Sequence, residues 1–291
     1  MKKIIMLVSC VVAIPGVINV YSQTQVDTST IIAYTYTAHS TNKETIVKMV
    51  NDELNQTGVQ VYFFNKTGKL LGKWEINDTS AQAWALSPRG NYFMCEIFRK
   101  VTANDSRSRE VVVMDNTGKE LFSYQSSGGI GRWSPSEDYF IVHDYGFTAL
   151  RAYDLKGKVI WEKKKPENVK ELSLAEISKN GEYIALVEYP KTVILLSKDG
   201  RERYRKDFEI VPGKLKRKSI LTREIDNDGN ILLHPGASTE IRVLDNKGNM
   251  KLNRHFARYD HFLVLFSTSD TSQIEITNKK KESEKTHIKW R

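Results

Sequence analysis

Cysteine is almost missing from this chain, with two in 291 residues. One of them, Cys10, lies in the apolar start, so a chain that lost that start keeps only Cys95. A single thiol forbids an intrachain disulfide, and six histidines scattered without ligand spacing make a Cys/His metal centre implausible. No cofactor is expected. Stability has to come from packing. Long amphipathic patterns at helical spacing are absent too, which argues against an α-rich fold. No Gly-x-Ser-x-Gly elbow occurs, so nucleophilic catalysis has no visible seat. Acid is the minority charge: 44 Lys and Arg against 35 Asp and Glu leave +9.

The start, MKKIIMLVSCVVAIPGVINVYS, joins Lys2 and Lys3 to an apolar run that ends at Val20 and Ser22, where a signal peptidase requires compact side chains. The expectation is a cleaved secretory signal over 1–22, with Gln23 as the first mature residue. Two other readings stand beside it. The run could remain as a membrane anchor, although Pro15, Gly16 and Asn19 interrupt it. Leu7-Val8-Ser9-Cys10 also has the form of a lipoprotein cleavage box, which would lipidate Cys10. Loss of the two lysines lowers the charge of +9 by two, so the mature chain stays basic. An exported chain without a disulfide suits a bacterial envelope, so the expected location is secreted or periplasmic. Asn55, Asn65, Asn77 and Asn104 sit in Asn-x-Ser/Thr sequons, which carry no meaning in a bacterium.

What is abundant is repetition. MDNTGKELF from Met114 recurs, loosely spelled, as FNKTGKLLG from Phe64, YDLKGKVIW from Tyr153, LSKDGRERY from Leu196 and LDNKGNMKL from Leu244. Each is a strand end, a polar turn with glycine, and a new strand. Between these turns lies a second unit: WALSPRGNYFMCEIF from Trp84, GRWSPSEDYFIVHDY from Gly131, LAEISKNGEYIALVEY from Leu174 and REIDNDGNILLHP from Arg223. Joined, the two units make four strands per repeat, for example 83–86, 92–98, 110–114 and 120–124. A period of about 40–50 residues with four antiparallel strands is that of a propeller blade. The apolar runs are short and rich in Val, Ile, Tyr and Phe, as strands require. The expected fold is all-β, a β-propeller of four-stranded antiparallel blades over 23–291 as a single domain. Six blades are counted, with five or seven possible. An irregular first blade is placed at 30–76, and a degenerate last one takes KKKESEK, 279–285, as its final turn.

Trp133-Ser134-Pro135 followed by Asp138-Tyr139-Phe140-Ile141-Val142, and Leu86-Ser87-Pro88 followed by Gly90-Asn91-Tyr92-Phe93, resemble the bacterial WD-repeat-like propellers, including the periplasmic propeller of the Tol system. In those families a Ser-Pro-Asp-Gly-Lys turn joins the first two strands of a blade. The resemblance covers most of the mature chain at blade level and implies the fold. No blade ends in Trp-Asp or opens with Gly-His, so it does not imply a partner.

The turn glycines Gly68, Gly118, Gly157, Gly200 and Gly248 fall where a hairpin needs positive φ. Asp226-Asn227-Asp228-Gly229-Asn230 has the look of a calcium loop but lacks the distal Glu and coincides with a repeat turn. Ser126-Ser127-Gly128-Gly129-Ile130-Gly131 is glycine-rich without the helix and Lys that a phosphate loop needs. Two residues before the turn in the innermost strands come Ala85, Arg132, Glu176 and Glu224. They form either a salt-bridged network or a small polar site, possible only if the strands line a central channel. The long connections 98–110, 163–171 and 211–219 carry Arg99, Lys100, Arg107, Arg109, Lys163, Lys164, Lys165, Lys170, Lys214, Lys216, Arg217 and Lys218. They read either as solvated surface or as one basic rim that meets an anionic partner.

Two functions remain in view. One is a secreted or periplasmic binding module, expected to be monomeric, that uses the basic loop face toward a protein or an anionic envelope component. Export argues against nucleic acid as that partner. The other is an enzyme of hydrolase or lyase type, acting on a small or saccharide substrate at the channel around Arg132, Glu176 and Glu224. Fold alone does not separate the two.

Overall fold

The computed structural model describes residues 11–14, 17–23, 34–51, 58–77, 79–99, 108–125, 131–144, 147–189, 191–208, 220–235, 240–255, 262–266, 272–278 and 281–290. Their regular structure is strand throughout: β1 (Val11–Ile14), β2 (Val17–Gln23), β3 (Tyr34–His39), β4 (Thr45–Asn51), β5 (Gly58–Asn65), β6 (Leu70–Asn77), β7 (Thr79–Leu86), β8 (Tyr92–Arg99), β9 (Ser108–Asp115), β10 (Glu120–Gln125), β11 (Gly131–Trp133), β12 (Tyr139–His143), β13 (Ala149–Asp154), β14 (Val159–Lys164), β15 (Glu171–Ile177), β16 (Tyr183–Tyr189), β17 (Thr192–Ser197), β18 (Glu202–Asp207), β19 (Ile220–Ile225), β20 (Ile231–Pro235), β21 (Glu240–Leu244), β22 (Met250–His255), β23 (Phe262–Phe266), β24 (Gln273–Asn278) and β25 (Lys281–Lys289). They form six sheets in chain order: β1–β6, four sheets of four strands from β7 to β22, and β23–β25. The chain groups into two compact units, Met1–Asp144 with Tyr153–Lys158, and Tyr145–Ala152 with Val159–Arg291.

The strand order follows from burial. Second and third strands carry apolar residues at consecutive positions: in β16 and β17, Ile184 to Val187 and Val193 to Leu196 are all buried. A strand covered on both faces has no solvent side on which to place polar residues. Outermost strands do, and β18 (ERYRKD) alternates between exposed and half-buried positions. In the first unit, Val47, Val61 and Phe63 of the first sheet share a buried cluster with Phe93, Cys95 and Ile97 of β8. In the second unit, Leu195 and Val193 share one with Ile231 and Leu233. Sheets therefore pack face on face within each unit, which brings their tight turns side by side.

Three details differ from the sequence reading. The first sheet is regular over β3–β6, and it is extended by β1 and β2 through pairs such as Val20↔Thr37. The expected last turn is mostly strand: β25 starts at Lys281, and the register jumps from Asn278↔Lys281 to Thr277↔Lys285, so 282–284 loop out within the strand. Four of the presumed loop cations also belong to strands, because Arg99 ends β8, Arg109 lies in β9, and Lys163 and Lys164 end β14.

Candidate functional site

The tight turns at one end of the sheets are closed by their own side chains. Asp115 Oδ1 accepts from the Thr117 amide at 2.9 Å, the Thr117 hydroxyl at 2.6 Å and the Lys119 amide at 3.1 Å. Asn65 makes the same three bonds in the first sheet. Burial works against the charge of Asp115, but the Thr117 and Lys119 bonds outweigh it and hold the carboxyl below its ordinary value. In the Asp226 turn, Oδ1 accepts from the amides of Asp228 and Asn230 and Oδ2 from the Asn230 side chain at 2.6 Å. That carboxylate serves its own backbone, as a repeat turn requires.

The glycines of these turns answer to two constraints, of which only one is legible in sequence. Gly157 and Gly200 have φ of 78° and 82°, as a left-handed turn position demands. They are also pressed against rings, since a Cβ on Gly157 would come within 2.7 Å of the Phe122 ring and one on Gly200 within 2.5 Å of Trp161. Where the first two strands of a sheet meet, the left-handed position is held by Lys43, Gly90, Glu137 and Gly181. Glu137 is buried, and its carboxylate accepts from the Arg89 amide and from Asn91 Nδ2 at 2.7 Å. It ties the β7–β8 turn to the β11–β12 turn at the cost of a strained φ of 64°. Aligning the turns marks it, because Glu137 stands where the neighbouring repeats carry glycine.

Each of the inner-strand quartet holds the equivalent position within its own sheet. Ala85 pairs with Met94, Arg132 with Ile141, Glu176 with Ala185 and Glu224 with Leu232. Glu224 is engaged: Oε2 accepts from the Phe266 amide at 2.6 Å, and Oε1 meets Lys179 Nζ at 3.1 Å. Glu176 Oε1 accepts from the Ile177 amide at 3.1 Å. Arg132 is half-buried in the first unit, whereas both glutamates belong to the second.

Of the basic connections, Lys100, Arg107, Lys214, Lys216, Arg217 and Lys218 lie outside the described residues, as do 126–130 of the glycine-rich stretch. Arg109 is exposed, with its guanidinium 5.5 Å from the Phe98 ring centroid. The connection after β14 is an ordered loop. Lys165 Nζ caps the carbonyls of Val169 at 2.6 Å and Pro166 at 3.3 Å, and Lys163 reaches Glu202 at 3.6 Å. Lys170 sits over the Tyr189 ring, 5.8 Å from its centroid, while Lys164 is exposed.

Beside this loop stands a residue that sequence reasoning missed. Phe147, between β12 and β13, is 40% exposed and has a φ of 55°. A bulky side chain in the left-handed region is a genuine outlier. The connection and β15 are bonded to it on either side: the Lys165 amide donates to Thr148 O at 2.7 Å and the Leu172 amide to Phe147 O at 3.2 Å. Nothing in the local sequence announces a positive φ at a phenylalanine.

No family model matches the chain, and no curated protein matches it in sequence. Solved structures do. The chain is similar to the C-terminal WD40 domain of Sif2 with a TM-score of 0.50 at 12% identity, over 90% of this chain and 73% of that one. It also matches the Dos1 propeller (TM-score 0.48, 10% identity, 84% of this chain and 72% of that one) and Hsv2 of Kluyvelomyces marxianus (0.43, 12%, 83% and 88%). At such identities likeness speaks of fold, and the match to the Sif2 domain, together with six successive antiparallel sheets, makes this a WD40-like β-propeller fold, with a blade count consistent with six or seven.

Proposed function

We propose that this chain is a non-enzymatic binding module of the cell envelope that engages an acidic protein surface through its longer connections. The observation that carries the reading is Phe147. Holding a phenylalanine in the left-handed region costs about 1–2 kcal/mol, and the residue is nonetheless left 40% exposed. Residues held in sparsely populated backbone regions cluster at functional sites. Lys164 ends β14 and Lys170 lies in the connection that follows it, between the residues bonded to Thr148 and Phe147, so an exposed apolar residue stands next to exposed cations in this loop. A protein partner can offer both a pocket for the ring and carboxylates for the lysines, as interface hot spots do. A glycan or a lipid headgroup offers only the second. The lysines and arginines of 100–107 and 211–219 extend the same reading, and the expected leader over 1–22 is its basis for an envelope location.

The test is affinity capture from the native envelope with the mature chain, at low and raised salt. Exposed charges are screened within about 10 Å at 0.1 M, so capture should weaken as salt rises. Reversing Lys164, Lys216 and Arg217 together should abolish capture, whereas reversing Lys119, Lys158 and Lys247 on the tight-turn ends should spare it. Equal loss from both triples would reduce the attraction to net charge; loss from neither would leave these cations as solvated surface.

A further inference from the structure

A cleft of about 380 Å³ opens in the first unit, lined by Asn91, Tyr92, Asp115, Asn116, Leu121 and Leu155. It lies at the tight-turn ends of the second and third sheets, away from the long connections, and its size is within the range of small-molecule sites. Its floor is apolar. Tyr92, Leu121 and Leu155 are half-buried and pack on the cluster that holds Met94, Trp133 and Phe140. Tyr92 stacks on Trp133 with centroids 5.5 Å apart. The rim is polar, with one formal charge, that of Asp115.

Another slot of the repeat shows how the charge of such a cleft can differ. In the second unit the corresponding positions are Glu182, Tyr183, Ser197, Lys198, Arg203 and Asn246. There the chain supplies its own cations, and Lys198 Nζ pairs with Glu182 Oε1 at 2.7 Å. In the first unit Lys198 is replaced by Asn116 and Arg203 by Leu121, while the serine position has become Asp115. The backbone link is unchanged, since the Asn116 amide donates to Asn91 O as the Lys198 amide donates to Glu182 O, both at 2.9 Å. The slot therefore keeps its shape, with the acid that Asp154 and Asp245 also place at this turn position, and lacks the two cations of the second-unit slot. All three turn bonds to Asp115 fall on Oδ1, so among the described residues Oδ2 is not committed to the turn. Lys119 gives Asp115 its backbone amide, and its exposed side chain, outside the lining, also favours the charged carboxylate through its own charge.

We propose that this cleft binds the side chain of an arginine or lysine presented by a partner polypeptide, with the aliphatic stem on Leu121, Leu155 and Tyr92 and the cationic head at Asp115 Oδ2. Long cationic side chains are suited to such a slot because the stem is apolar and only the head needs a polar partner. The site is independent of the Phe147 surface.

The experiment titrates the full chain with a hexa-arginine peptide and with its neutral hexa-citrulline counterpart, following the side-chain amide resonances of Asn91 and Asn116. The arginine peptide should shift both, even though the protein itself carries +9, and the citrulline peptide should not. Two variants keep the turn while removing the site. Asp115→Asn reproduces the three-bond turn that Asn65 already makes, and Leu155→Lys puts a cation of the chain's own into the slot. Each should weaken the arginine peptide at least tenfold while leaving the denaturation midpoint within the usual range of a surface change. Equal binding of the citrulline peptide, undiminished binding by both folded variants, or shifts confined to other residues would overturn the proposal.

Discussion

At the scale of single residues, the chain places chemistry where packing controls it. Cys95 is fully buried in β8, and burial, with a smaller contribution from Glu120, pushes its thiol up to about 12. A folded pKa above the unfolded one means that this group's stabilising contribution is complete below the unfolded value of about 8.5 and fades as pH rises towards 12. The thiolate is the reactive form, so the native protein should resist a thiol reagent at pH 8 and react only as fast as it unfolds. Rapid labelling of folded protein would show that β8 is not packed as described. Glu137 is the other residue whose role depends on its surroundings. Its carboxylate replaces, through bonds to Arg89 and Asn91, what the turn loses by not having glycine.

At the scale of elements, hairpins carry the argument. Gly68 and Gly200 share a φ of 82°, yet a Cβ on Gly68 would meet nothing within 4 Å and one on Gly200 would strike Trp161. Gly68→Ala should therefore cost only the backbone term, about 1–2 kcal/mol. Gly200→Ala should add overpacking of about 1–3 kcal/mol, a difference readable as a lower denaturation midpoint. Equal costs would mean that the ring contact is not made. The φ requirement was legible in the sequence because the turn motif demands it locally. The ring was not, because it comes from β14, a different hairpin. The same division explains the other outcomes. The strands of each repeat could be read from their apolar runs, whereas the ends of β14 and β25 could not. Lysines at 163, 164 and 281–285 look like loop, yet an outermost strand has a solvent face on which they fit. Phe147 was hidden for a related reason: its backbone partners come from the connection after β14 and from β15, far along the sequence.

At the scale of the whole molecule, the first sheet bears on export. It has six strands where the next four sheets have four, and the surplus is β1 and β2, which except for Gln23 fall within the expected leader. Cleavage after Ser22 would leave β3–β6, a four-stranded sheet like the others. The reading of 1–22 as a leader predicts that N-terminal sequencing of the exported protein begins at Gln23, and Met1 or a lipidated Cys10 would refute it. The central claim, that the chain binds through the connections around Phe147, is tested most directly by Phe147→Gly, with stability and capture measured on the same preparation. Glycine relieves the left-handed strain at an entropic cost of about 0.5–1 kcal/mol. The predicted result is a denaturation midpoint equal to or above that of the wild type, with envelope capture reduced at least tenfold. A lower midpoint with capture retained would contradict the account, because Phe147 would then be holding the fold together rather than meeting a partner.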